Sequence, residues 1–216
     1  MFMKIYNTLS HKEEVFIPWE EGKVSFYTCG PTVYHYAHIG NMRNYIGHDI
    51  LDKTLRFIGF DVTRCMNITD VGHLTSDSDS GDDKMVASAK KEHKTVLDIA
   101  SFYTDAFFKD FDALNCKRPE IVSNATDNID EYIKIITKLL EDGYAYKAGG
   151  NVYFDTSKLK DYYVLTNHKE DDMVVGARES VEFDASKKNQ ADFALWFTKS
   201  KFDSQELKWE SPFGVG

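Results

Sequence analysis

The chain has 216 residues, enough for one large domain or two small ones. With 42% hydrophobic and 28% charged residues it can bury a core, and no apolar run approaches the roughly 20 residues that span a bilayer. A formal charge of −9 argues against indiscriminate nucleic-acid binding; the lysines clustered from Lys84 to Lys94 and near Lys187 and Lys199 read first as solvated faces.

The opening MFMKIYNTLSHKEE turns polar too soon for a secretory signal, and Met3–Leu9 alternates like a short strand. Ser10–Gly22 is polar, punctuated by Pro18 and Gly22. Val24–Thr28 (VSFYT) is the first central strand. It ends in a turn built on Cys29-Gly30-Pro31, and the loop that follows ends in His38-Ile39-Gly40-Asn41. A strand, a Gly-bearing turn and a helix together point free backbone N–H groups and the positive end of a helix dipole at a phosphate. A histidine at that mouth can donate to phosphate oxygens, and Gly40 lets a ligand approach the backbone.

From Asn41 onward Tyr45, Ile46, Ile50, Leu51, Leu55 and Ile58 recur at the helical period, and Gly59 stops the helix. Phe60–Met66 (FDVTRCM) reads as the next strand. A strand, crossover helix and strand make a right-handed parallel unit, which sets Asn67-Ile68-Thr69-Asp70 beside the end of the first strand. Cys29 and Thr69 are then expected to face one crevice at the carboxyl ends of neighbouring strands.

Gly72–Asp83 is an acidic Ser/Asp-rich loop whose Asp77, Asp79 and Asp83 lack the spacing of an EF-hand. Lys84–Leu114 carries one long helical pattern or two broken ones. Pro119 marks a break, Asn128–Asp142 is a further amphipathic helix closed by Gly143, and Asn151–Phe154 is a short strand. The stretch from Tyr162 to Asn189 is polar and irregular, Ala191–Phe197 returns to an apolar β-like run, and Trp209–Gly216 is turn material. Three widely spaced cysteines, Cys29, Cys65 and Cys116, fit reduced thiols in a cytoplasmic protein better than a disulfide framework.

These residues resemble the cysteinyl-tRNA synthetases, class I aminoacyl-tRNA synthetases, along essentially the whole chain in one order. The resemblance is carried by Cys29-Gly30-Pro31-Thr32-Val33-Tyr34, His38-Ile39-Gly40-Asn41, Asn67-Ile68-Thr69-Asp70, Lys109–Asn115 with Arg118-Pro119, Asp192–Trp196 and Ser211–Gly214. It implies an α/β fold: the first half of a Rossmann-type class I synthetase catalytic domain (residues 1–118), interrupted by an α+β connective insertion (119–190) and followed by a return segment (191–216). It also implies ATP-dependent activation of L-cysteine to cysteinyl-adenylate, with ATP bound as its Mg complex, and transfer of the cysteinyl group to tRNA(Cys).

Residue by residue, the resemblance implies that His38 and Asn41 act in catalysis and that Thr32, His38, Gly40 and Asn41 bind ATP. Cys29, Gly30, Thr32 and Thr69 would line the cysteine pocket, and Cys29 would be one of four ligands of a zinc ion that also takes the substrate thiolate. Zinc favours sulfur over a neutral hydroxyl, which would separate cysteine from serine. Asn41 stands where the family often has a second histidine; it can hydrogen-bond but carries no charge. Cys65, Cys116, His35, His48 and His73 are read as packing or surface groups.

The comparison also implies an N-terminal portion only. The chain reaches Gly216 before the family's second zinc cysteine, its remaining zinc ligands and its ATP-closing Lys-Met-Ser-Lys-Ser loop, so the isolated chain is expected to be inactive. Two other readings stay open: the related ligase that joins cysteine to a glucosaminyl-inositol in mycothiol synthesis, and a non-catalytic nucleotide-binding homologue.

Overall fold

Val24, Phe26 and Thr28 alternate with exposed neighbours along β3 (Lys23–Thr28), and Val62, Arg64, Met66 and Ile68 are buried between exposed or half-buried neighbours along β4 (Asp61–Ile68). Each strand therefore presents one face to a core, with the period of two that a pleated backbone imposes. The computed structural model describes residues 3–71, 95–165, 186–189, 191–199 and 207–216. These form two units divided at Asp127 and Asn128.

In the first unit β1 (Lys4–Asn7) and β2 (Lys12–Val15) form an antiparallel hairpin. The β2 segment, KEEV, is exposed throughout and lies in the stretch read from sequence as merely polar. β3 then pairs with β4 in parallel, Lys23 opposite Asp61 through Thr28 opposite Met66, and β4 pairs in parallel with β5 (Ile121–Asn124). The sheet order β3-β4-β5 puts β4 in the middle. Two successive helical crossovers between adjacent parallel strands are half of a doubly wound sheet.

The first crossover is α1 (Ile39–Phe57), which buries Met42, Tyr45, Asp49, Asp52 and Leu55. Gly59, at φ +103, takes the left-handed conformation that ends it. The second is α2 (Val96–Ala113), which buries Val96, Ile99, Ala100, Phe107, Phe108 and Phe111. Of the Lys84–Leu114 helical pattern, the part before Thr95 lies outside the described residues, as do the acidic loop and the Lys84–Lys94 cluster. The main core joins Val33, Met42, Tyr45, Met66, Ile68, Phe107 and Phe111. Its aromatic rings pack edge-on or tilted, as between Tyr45 and Phe107 with centroids 5.0 Å apart.

Charges bind α1 to β4 and to the segment before β5. Asp52, fully buried, takes Arg56 Nε at 2.5 Å and lies 3.5 Å from Arg64 Nε, itself fully buried. Arg56 also donates to Glu120 at 2.8 Å, Glu120 accepts the Arg64 backbone N–H at 2.8 Å, and Asp49 accepts the Lys117 backbone N–H at 2.7 Å. Buried ions of this kind fix one arrangement more than they add net stability, because removing either partner strands a charge.

The second unit contains α3 (Ile129–Glu141) and an antiparallel sheet of β6 (Ala145–Ala148), β7 (Asn151–Phe154) and β8 (Phe193–Trp196). Gly149 and Gly150, at φ +61 and +94, supply the two left-handed positions of a two-residue hairpin turn between β6 and β7. Asp192, 1% exposed, accepts the Tyr146 hydroxyl, the Thr156 N–H and hydroxyl, and the Asn189 N–H, all at 2.7–2.9 Å. Burial alone raises a carboxyl pKa, yet those donors hold Asp192 below its ordinary value.

Candidate active site

Because β3 and β4 run parallel in register, their carboxyl ends lie side by side. Cys29 follows β3 directly and its thiol is exposed. Gly30 sits against the other strand: a Cβ there would stand 1.7 Å from the Asn67 carbonyl oxygen and 2.8 Å from the Met66 side chain. Only glycine permits that approach. Its N–H donates to Asn67 Oδ1 at 2.7 Å. Thr32 forms an isolated parallel bridge with Thr69, closed by Val33 N–H to Thr69 O at 3.1 Å and Thr69 N–H to Pro31 O at 3.0 Å. Asp70, next along, takes the Thr126 N–H at 3.0 Å and hydroxyl at 2.6 Å, tying the β4 end to the β5 end.

The parallel register thus puts Cys29 and Thr69 at the carboxyl ends of neighbouring strands, where the sequence expects them to face one crevice. Asn67, quoted there only as part of a motif, joins Gly30, the neighbour of Cys29, to Thr69. Tyr45 reaches the same end from α1. Burial pushes its phenol up to about 12, and the charge of Cys29 adds to the effect.

His38, Gly40 and Asn41 form a second group. The helix begins at Ile39, two residues before the expected start, because His38 is its N-cap. Nδ1 of His38 accepts the Gly40 N–H at 3.0 Å, and Asn41 Oδ1 accepts the His38 N–H at 3.1 Å, a capping box made from a histidine and an asparagine. With Nδ1 accepting, the proton of the neutral ring is on Nε2, so the exposed edge of His38 is a donor. No acidic residue stands in the first turn, which leaves the positive end of the helix dipole uncompensated. Among the described residues no hydrogen bond joins this group to the Cys29–Thr69 group; the short run Val33–Ala37 connects them.

Of the residues read as packing or surface groups, His35 is exposed, Cys65 and His48 are half-buried and Cys116 is buried. His35 Nδ1 is 3.1 Å from the Tyr36 carbonyl, and its ring stacks on Tyr103. His48 has its pKa lowered by burial and then by Arg64, while burial and then Asp49 raise the Cys116 thiol. His73 lies outside the described residues. Among the described residues no three His, Cys, Asp or Glu side chains come together. A single thiolate is not a zinc site.

The family description "tRNA synthetases class I (C) catalytic domain" matches residues 15–216. The chain belongs to this class I synthetase family. A cysteine–tRNA ligase of Treponema denticola is 56% identical over 216 residues, covering all of this chain and 44% of that protein. One from Treponema pallidum strain Nichols is 48% identical over 219 residues, covering all of this chain and 42% of its own length. One from Zymomonas mobilis is 48% identical over 211 residues, covering 98% of this chain and 40% of its own length. The chain therefore spans less than half the length of the curated relatives it matches. Its parallel sheet with helical crossovers is the Rossmann-type arrangement of the class I catalytic domain. Among the described residues no helix is long and apolar enough to cross a membrane.

Proposed function

We propose that the complete protein is a cytoplasmic cysteine–tRNA ligase and that this chain supplies the half of its catalytic domain that grips cysteine and the phosphates of ATP. The reading is supported by the turn after β3 (Cys29, Gly30, Thr32) being bridged to Thr69 at the β4 end and leading within a few residues into a helix whose N-terminus bears His38 and no acid. A carboxylate oxygen of cysteine attacks the α-phosphorus of Mg–ATP. A new O–P bond forms as the bond to the β-phosphate oxygen breaks, and pyrophosphate leaves. Little covalent chemistry falls to the protein in such a step; it positions the groups and stabilises phosphoryl charge. The Nε2–H of His38 and the uncompensated positive end of the α1 dipole stabilise that charge, Asn41 holds His38 through its backbone, and Gly40 keeps the approach open. The cysteinyl group then passes to the terminal adenosine of tRNA(Cys), releasing AMP.

Zinc belongs to this reading only as a shared centre. Cys29 would give one thiolate, the other donors would lie outside the described residues, and the metal would favour the substrate's sulfur over a hydroxyl. The connective insertion would begin after Asp127 rather than near Pro119, since Ile121–Asn124 still pairs with β4. Cysteine-dependent exchange of labelled pyrophosphate into ATP by the complete protein tests the proposal. Exchange with cysteine and not serine is expected; exchange driven by a different amino acid, or by none, overturns it.

A further inference from the structure

The Asn67 side chain makes three hydrogen bonds that no motif announces. Its Oδ1 accepts the Gly30 N–H and the Tyr27 hydroxyl, each at 2.7 Å, and its Nδ2 lies 2.7 Å from Thr69 Oγ1. The oxygen and nitrogen of an amide are assigned from their partners, and here a backbone N–H settles the matter. A peptide N–H can only donate, so the atom facing Gly30 is the oxygen and the atom facing Thr69 is the NH2 group. An NH2 group can only donate in turn. Thr69 Oγ1 must therefore accept, which turns its own proton away from Asn67. No described residue takes that proton, and Thr69 is half-buried at the carboxyl end of β4.

We propose that Asn67 is a positioning residue that fixes the polarity of the amino-acid pocket. By clamping Gly30 N–H with one end and donating to Thr69 with the other, it presents the Thr69 hydroxyl to the bound amino acid as a donor for one of its oxygens. This rests on the reading that Gly30 and Thr69 line that pocket. Gly30 lies in the turn after β3 and Asn67 in β4, so the amide also locks that turn to the end of β4.

The discriminating substitution is Asn67→Asp. A carboxylate keeps the shape and both acceptor contacts, to Gly30 and Tyr27, but has nothing to donate to Thr69. The Thr69 hydroxyl then turns and donates to residue 67, and the pocket loses its donor. In the complete protein, N67D is expected to raise KM for cysteine about tenfold, the weight of one hydrogen bond to a charged group, with kcat within about twofold. T69V should do the same, and N67D/T69V should be no worse than T69V alone, because both remove one interaction. Effects of the two substitutions that multiply, or an unchanged KM in N67D, overturn the proposal; a purely structural asparagine would show one or the other.

Two NMR readouts are independent of activity. Hydrogen-exchange protection of the Gly30 amide should persist in N67D and vanish in N67A, and the Asn67 side-chain amide resonances should shift in T69V. Failure of either refutes the hydrogen-bond assignment itself. If the wild-type protein shows no cysteine-dependent exchange while both NMR results hold, the proposed substrate is wrong and the clamp stands.

Discussion

Two helices of the first unit begin with the same device and use it differently. At α2, Thr95 (φ −79, ψ 163) caps the helix: its Oγ1 accepts the Asp98 N–H at 3.1 Å, and Asp98 Oδ2 accepts the Thr95 N–H at 2.9 Å. At α1, His38 (φ −87, ψ 170) and Asn41 reproduce that box with a ring nitrogen and an amide. Threonine and aspartate satisfy the backbone, and the aspartate also neutralises the helix dipole. Histidine and asparagine satisfy the same N–H groups, leave the dipole unopposed and keep a second ring nitrogen facing out. The difference teaches that the α1 box, unlike that of α2, leaves open the dipole that the proposed phosphate contact would use.

The sharpest way to break this comparison is to separate capping from chemistry at residue 38. His38→Ala should lower cysteine-dependent pyrophosphate exchange by about 10²–10³-fold, the usual loss when one donor to a charged transition state is removed. His38→Ser restores a good cap, so its denaturation midpoint should match wild type while its exchange rate stays as low as that of H38A. If H38S recovers activity, His38 is a cap and nothing more.

The helices also differ in what they bury, and this gives a pH test. The buried face of α1 includes Asp49 and Asp52, and Arg56 on the same helix reaches Glu120; the buried face of α2 is apolar. Burial tends to raise the Glu120 carboxyl, but Lys117 and the Arg64 backbone N–H outweigh it and hold the pKa down to about 2. Since the folded value is depressed, the folded state binds fewer protons than the unfolded one between about 4.5 and 2. The stabilisation is complete above that window and is lost as pH falls through it. For a carboxylate about one-third exposed, solvent screening reduces the effect to about 1–2 kcal/mol. Urea midpoints of wild type and Glu120→Gln should therefore converge between pH 5 and about pH 2, with hydrogen exchange loosening in α1 before α2. A constant gap between the two proteins across that range would show that Glu120 contributes no proton-linked stability.

How much of this was legible in the sequence depends on how local each signal is. The β3-α1-β4 unit was readable because Val24–Thr28, the helical apolar stripe and Gly59 each carry their own pattern. The start of α1 was misplaced because histidine is not among the usual N-caps, and only its ring geometry reveals that it serves as one. β2, β5 and β6 went unread for a different reason. KEEV, IVSN and AYKA are four-residue segments whose extended state comes from the strand each one pairs with, not from alternation or propensity. Asn67 contacts Gly30 across 37 positions and Asp192 contacts Tyr146 across 46, so their roles depend on a closed fold that no periodicity reports.

A smaller effect tests the α2 side. Thr95→Ala should cost about 1 kcal/mol of stability, as loss of a side-chain cap does, read from thermal or urea unfolding. Exchange activity of the folded enzyme should be unchanged. A fall in activity at full folding would mean that the α2 N-terminus also serves the site.

The smallest effect comes from exchanging the charge between the two boxes. Asn41→Asp keeps an oxygen for the His38 N–H and places a negative charge in the first turn of α1. It should stabilise the helix by about 0.3–1 kcal/mol through the dipole while raising KM for ATP, because the same charge repels the phosphates. Asp98→Asn is the reciprocal change and should lose a similar amount of stability with KM for ATP unaltered. The two substitutions move stability in opposite directions, yet only the one at α1 should touch nucleotide binding. Both shifts should shrink in high salt, since exposed charges at helix ends are screened. If Asn41→Asp stabilises the protein and leaves KM for ATP where it was, the open dipole of α1 does not face the nucleotide, and the contrast between the helices is one of capping chemistry alone.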